Sequence, residues 1–211
     1  PCTLTNCLYA GTNNASGGYT FAPTNAILNN CYYLNTCGDE QGTKVTAEQL
    51  KSGEVAYQLQ NKRAGNVWGQ FIQVDEQPLL TTEAAKHVYQ VSFTYKGRVK
   101  ATRYANSGKP ILAPLPTVQD LLGSEYDSKK TYTLTYDGGF SETTAITGDR
   151  TVNVTVAITT GIDGVTNDAA DTANGPVYDL QGRRVADRLD DARHSLPAGV
   201  YIVGGRKVIV K

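Results

Sequence analysis

Cys2, Cys7, Cys31 and Cys37 are the most reactive side chains of this 211-residue chain, and all four fall within its first 37 positions. Their C-x4-C and C-x5-C spacings lack the C-x2-C pairing and nearby His of common zinc sites. An even number crowded into a loop-rich stretch favours disulfides, and with them an oxidising compartment. Four cysteines allow three connectivities. The local pairs Cys2–Cys7 and Cys31–Cys37 are favoured, with stacked buried thiols as the alternative. The two histidines carry less. His87 opens a strand region and His194 sits among Ala, Arg and Ser, and neither has a Cys, Ser or carboxylate partner at a catalytic spacing. A G-x-S-x-G elbow, a P-loop and an H-E-x-x-H are all missing from the sequence. Asp163, Asp168 and Asp171 miss the ligand spacing of an EF-hand and read as solvated acids. Tyr9, Tyr19, Tyr32, Tyr33, Tyr57 and Trp68 could stack on sugar, although aromatics on short strands more often pack into a core. No metal site, no cofactor and no enzymatic activity are expected.

Composition narrows the field further. Lys+Arg and Asp+Glu are both 20, which removes the electrostatic footprint of a nucleic-acid binder. Hydrophobic residues at 40% against 19% charged place the chain among folding sequences. No stretch approaches the roughly 20 apolar residues that span a bilayer, so only indirect membrane attachment is expected. The chain opens at Pro1 and contains no Met. An upstream remainder is therefore expected, with any signal peptide inside it.

The elements that must position these residues are mainly β, in tandem modules. Asn6-Cys7-Leu8-Tyr9 recurs as Asn30-Cys31-Tyr32-Tyr33, 24 residues on, with Gly, Asn, Ser and Thr between. Short aromatic strands alternating with polar turns at such a period predict the end of a β-solenoid over residues 1–45. Thr46-Ala47-Glu48-Gln49 has the form of a capping box. Two short helical turns interrupted at Ser52-Gly53-Glu54 and a returning extended segment at 67–71 then make a helical connector over 46–86. Alternating strands at 88–95, 98–104, 131–136 and 151–158 predict a sandwich- or β-grasp-like module over 87–160, crossed by Pro110, Pro114 and Pro116. Residues 161–175 read as a flexible acidic linker. The tail, 176–211, has seven basic residues against four acidic ones. Its strand pairs flank Gln181-Gly182 and Gly204-Gly205, which predicts a small four-stranded β meander joined by a polar excursion at 187–196. A sheet this small needs a neighbour or a receptor to cover it.

Several stretches resemble known families. Asn30 to Leu34, Lys51 to Leu59 and Val67-Trp68-Gly69-Gln70 look like the segment that closes GLUG-type repeat arrays of secreted Bacteroidetes proteins, which implies an extracellular stalk. Tyr104 to Pro110 and Thr144 to Val152 resemble the Listeria–Bacteroides type of β repeat, which implies a spacer or contact surface. Val177 to Val185, Leu196 to Val203 and Lys207 to Lys211 resemble the C-terminal sorting domain of type IX secretion substrates. That likeness implies export to the outer-membrane surface of a Gram-negative bacterium. It also implies two partners, an outer-membrane barrel shuttle and a sortase-like peptidase that cuts near the start of the tail. The residues carrying it are Val177, Tyr178, Leu180, Gly182, Pro197, Gly199, Val200, Tyr201, Lys207 and Lys211. Asp171-Thr172-Ala173 is similar to the Bacteroidetes O-glycosylation motif, which makes Thr172 a modification candidate.

The expected function is therefore that of a non-catalytic C-terminal portion of an exported surface protein, serving spacing, display and sorting. The alternative is an adhesin module that binds host protein or glycan. For the tail, the competing reading is a hairpin pair that caps the β module.

Overall fold

The computed structural model describes residues 2–12, 15–23, 25–159, 175–192 and 195–211. Strand outweighs helix by 35% to 16%, so the fold is mainly β. Two compact units are present: Pro1–Asp127 with Tyr132–Ala157, and Ser128–Thr131 with Ile158–Lys211. The expected linker at 161–175 lies, except for Gly175, outside the described residues, together with Thr172, the three linker acids and His194.

The first unit opens on short parallel strands. These are β1 (Thr3–Thr5), β2 (Leu8–Tyr9), β3 (Ile27–Asn29), β4 (Tyr32–Tyr33) and β5 (Thr43–Lys44). Thr3 lies opposite Ile27, and Leu8 opposite Tyr32. Both offsets equal the 24-residue spacing visible in the sequence. Each coil turns its corner at an asparagine with positive φ, Asn6 (55°) and Asn30 (54°), a conformation Asn tolerates better than most residues. The two corner side chains bond to each other, Asn30 Nδ2 donating to Asn6 Oδ1 at 2.5 Å. β5 then joins β4 with Thr43 opposite Tyr32, a shorter return that ends the period.

Helix α1 (Ala47–Lys51) begins as its capping box requires. Thr46 accepts from the Gln49 backbone, and the Gln49 side chain accepts from the Thr46 backbone. α2 (Glu54–Gln60) starts at Gly53, whose φ of 89° separates the helices. A Cβ there would sit 2.8 Å from Ile72 Cδ1, so both conformation and space demand glycine. Leu50, Val55 and Leu59 are buried with Val45, against Leu8, Tyr32, Leu34 and Trp68. The helices thus cover the apolar flank of the coils. Strand β6 (Trp68–Gly69) returns as extended chain, but it pairs antiparallel with β7 (Leu79–Leu80), a partner outside the sequence reading.

The next sheet is built from β8 (Val88–Tyr95), β9 (Arg98–Asn106), β10 (Thr131–Tyr136) and β11 (Arg150–Thr159). Its order is β10-β11-β8-β9, with β8 and β9 antiparallel and β11 parallel to β8. The alternation in β11 decides its faces: Val152 and Val154 are buried while Thr151, Asn153 and Thr155 are exposed. The Pro-rich crossing contains a helix that the sequence reading did not anticipate, α3 (Val118–Leu122), with its own Thr117/Asp120 capping box. Leu121 from this helix joins Val91, Phe93, Ile111, Phe140, Ile146 and Val152 in the largest core. Phe93 meets Phe140 edge-on, centroids 5.5 Å apart, a favoured aromatic geometry.

The second unit holds β12 (Val177–Tyr178), β13 (Arg184–Ala186), α4 (Leu189–Ala192), β14 (Gly199–Val203) and β15 (Arg206–Val210). The expected meander is corrected: the order is β13-β12-β14-β15. β12 sits between β13 and β14, so the chain from β13 must pass to the far side of β12 before pairing again. The expected polar excursion supplies that crossing and includes α4, whose Leu189 is 2% exposed. The sequence locates the hairpins, but the packing of Leu189 over the sheet decides which strand becomes central.

Candidate functional site

The tail sheet is the candidate docking surface, and its two faces do different work. Val177, Tyr201, Val203 and Val210 are buried with Leu189, and Ala186, Leu196 and Val208 pack against them. Because side chains alternate along a strand, the residues between them belong to the opposite face. There Val200 stands opposite Ile209, and Ile202 lies between Tyr178 and Lys207. Val200 and Ile209 are 38% and 40% exposed, large values for apolar strand residues. The arrangement is an apolar row flanked by two cations, Arg184 opposite Tyr178 and Lys207 opposite Ile202, on a sheet whose outer strands β13 and β15 each have a single neighbour among the described residues.

Turns fix this sheet tightly. Gly204 and Gly205 both have positive φ (57° and 78°), the mirror-image turn whose twist suits a two-residue hairpin. At the other hairpin Asp179 organises the loop. Its Oδ1 accepts from the backbone of Gln181 and Arg183 at 3.0 and 2.9 Å, and its Oδ2 accepts from Arg183 Nε at 2.7 Å. Burial works against the Asp179 carboxylate, but these bonds and the Arg183 charge hold it below the usual carboxylate range. Tyr201 closes the second connection, its hydroxyl donating to the Pro197 carbonyl at 2.8 Å.

The residues singled out from the sequence therefore divide. Val177, Gly182, Pro197, Gly199 and Tyr201 build the sheet. Tyr178, Leu180, Val200, Lys207 and Lys211 lie on its accessible side, with Leu180 and Lys211 exposed. Ile202, Ile209 and Asp179 belong with them and were missed. Ile202 and Ile209 follow from strand alternation once register is known. Asp179 had a local signal, an Asp ahead of Gln-Gly, typical of a side chain that bonds its own turn.

The four cysteines are free thiols in this structure. Cys2 and Cys7 stand at opposite ends of extended β1, and β4 likewise separates Cys31 from Cys37. The stacking instead sets Cys7 beside Cys31. Burial, followed by the Cys31 thiol, pushes the Cys7 thiol up.

The six aromatics do not form one platform. Tyr33 is buried, Tyr32 and Trp68 pack into the helical core, and Tyr57 packs beside Ala56, Ile72 and Val88. A different cleft of about 370 Å³ is lined by Tyr57, Lys62, Arg63, His87, Tyr89 and Asp149. Asp149 is held in place by the Tyr57 hydroxyl (2.8 Å) and the Gln90 backbone (2.9 Å). Burial, then the bond to Asp149, pushes the Tyr57 phenol up to about 12. His87 bonds Asn66 through Nδ1 at 3.0 Å and tilts over Tyr89, centroids 4.6 Å apart. Sequence reading could not assemble this cleft, because Tyr57 and Asp149 are 92 residues apart.

Among the described residues no group of His, Cys, Asp and Glu is arranged to hold a metal ion, and no helix is long and apolar enough to cross a membrane. No protein-family model matches the chain, and no curated protein or solved structure is significantly similar to it.

Proposed function

We propose that this chain is a non-catalytic, C-terminal display and sorting portion of an exported surface protein. The single observation that carries the reading is the tail. It has its own buried core, yet leaves Val200 and Ile209 exposed on the opposite face beside Tyr178, Ile202 and Lys207. An apolar sheet face of this kind, with two outer strands, suits recognition by strand addition and side-chain pockets. The partners in this reading are the outer-membrane secretion machinery, a barrel shuttle and a sortase-like peptidase, at the extracellular side of a Gram-negative outer membrane. The body serves as spacer. Its in-register coils fit the end of a β-solenoid. The sheet order, a first hairpin joined by a helical crossover to a last strand parallel to the first, fits a β-grasp arrangement. No nucleic-acid partner and no cofactor are invoked.

The test is transfer. Residues 160–211 fused behind a periplasmic passenger should carry it to the surface of a type IX-competent Bacteroidetes strain, and not of a strain lacking the barrel shuttle. Charge placed on the exposed row, Val200→Lys with Ile209→Lys, should abolish delivery while the tail still folds. Surface delivery that survives the double substitution would contradict the proposed docking face.

The cleft around Asp149 favours a second reading, an adhesin that takes a glycan. Tyr89 offers a partly buried ring, Asp149 a fixed acceptor, and Lys62 and Arg63 line the same cleft. Glycan-array binding that falls at least tenfold on Tyr89→Ala would support it, and silence of the wild-type chain across the array would remove it.

A further inference from the structure

We infer that Cys7 and Cys31 form an intercoil disulfide when the chain meets an oxidant, so that the paired residues are those stacked in space and not those adjacent in sequence. The argument starts from register. Leu8 lies opposite Tyr32 and Tyr9 opposite Tyr33, which makes Cys7 and Cys31 the preceding pair of the same parallel stack. The backbone closes around that pair on both sides. Asn6 N donates to Asn29 O at 3.0 Å, and Tyr32 N donates to Cys7 O at 2.8 Å. The Asn6 and Asn30 side chains bond one step earlier. In-register neighbours on adjacent strands lie about 4.8 Å apart. That falls inside the roughly 4.4–6.8 Å between Cα atoms that a disulfide spans.

The present partners of the two sulfurs are weak ones. Cys7 Sγ donates to Thr5 O at 3.6 Å, and Cys31 Sγ reaches Leu4 O and Asn29 O at 3.5 Å each. Exchanging two such S–H bonds for one S–S bond forfeits little. Accessibility sets the order of events. Cys7 is partly exposed and Cys31 buried, so Cys7 meets the external oxidant first.

With a small-molecule or protein disulfide as oxidant, the Cys7 thiolate attacks one of its sulfurs and expels the other as a thiolate, leaving a mixed disulfide. The Cys31 thiolate then attacks Cys7 Sγ and expels the second. The S–S bond of the oxidant is broken and one S–S bond is formed here. Two electrons and the two thiol protons leave with the oxidant, which departs as two thiols. Raised above its usual value, the Cys7 thiol makes the first step slow at neutral pH and faster as pH rises toward 9.

This inference does not rest on the export reading, since any oxidising compartment would serve. The test uses the full chain incubated with oxidised glutathione, with thiol counting, intact mass and non-reducing peptide mapping. All four cysteines precede Lys44, so chymotrypsin must replace trypsin. The Cys2→Ser/Cys37→Ser variant should lose both remaining thiols as a monomer about 2 Da lighter, and its Tm should rise by roughly 5–10 °C. The Cys7→Ser/Cys31→Ser variant should keep both thiols. A Cys2–Cys7 or Cys31–Cys37 link in the wild-type chain would overturn the assignment. So would persistence of both thiols in the first variant after prolonged oxidation at pH 8.5.

Discussion

Asn106 ties two stretches of chain together at one buried side chain. Its Oδ1 accepts from Ile72 N at 2.9 Å, and its Nδ2 donates to Gln70 O at 2.6 Å. Replacing it by Leu strands two buried backbone groups for little apolar gain. Asn106→Leu should therefore cost about 2–4 kcal/mol, read as a shift in the denaturation midpoint with unchanged slope. His87 predicts a pH dependence. Burial pushes its imidazole below the ordinary 6.5, and the Asp149 charge opposes this only in part. The unfolded chain then binds the proton first as pH falls, so the stabilisation is complete above pH 6.5 and is lost as pH drops through the folded value. The stability of the wild-type body should decline between about pH 7 and pH 5 more steeply than that of His87→Gln. At this scale the sequence reading named the cysteines and His87 but not their partners. The Cys7–Cys31 and Tyr57–Asp149 contacts come from stacking and docking, which local spacing does not encode.

Elements were more legible, because caps, turns and alternation are local. The Thr46 capping box, the break at Gly53, the full span of β8 and the span of β10 all follow from nearest neighbours in sequence. Thr46→Ala, which removes the acceptor for Gln49 N, should cost about 1 kcal/mol in chemical denaturation monitored by Trp68, the single tryptophan of the chain. A helix such as α3 is hard to read because Pro110, Pro114 and Pro116 mark an irregular crossing and its Thr117/Asp120 cap is followed by only five helical residues. Strand order was the other blind spot. Val177, Val200 and Val208 look alike from sequence, and which strand lies central in the tail depends on where Leu189 packs.

At the scale of the whole molecule, the charges balance and the chain divides into a body and a C-terminal unit. In the proposed function the tail is a sorting signal, removed once it has been read. The most direct measurement is intact and peptide-level mass spectrometry of the native protein released from the cell surface. The account predicts that residues 176–211 are gone, with cleavage inside 161–175 and a lipopolysaccharide-type adduct on the new end. Surface-exposed protein that still ends in Lys211 would contradict it, leaving the tail as a permanent cap and the Asp149 cleft as the feature to pursue.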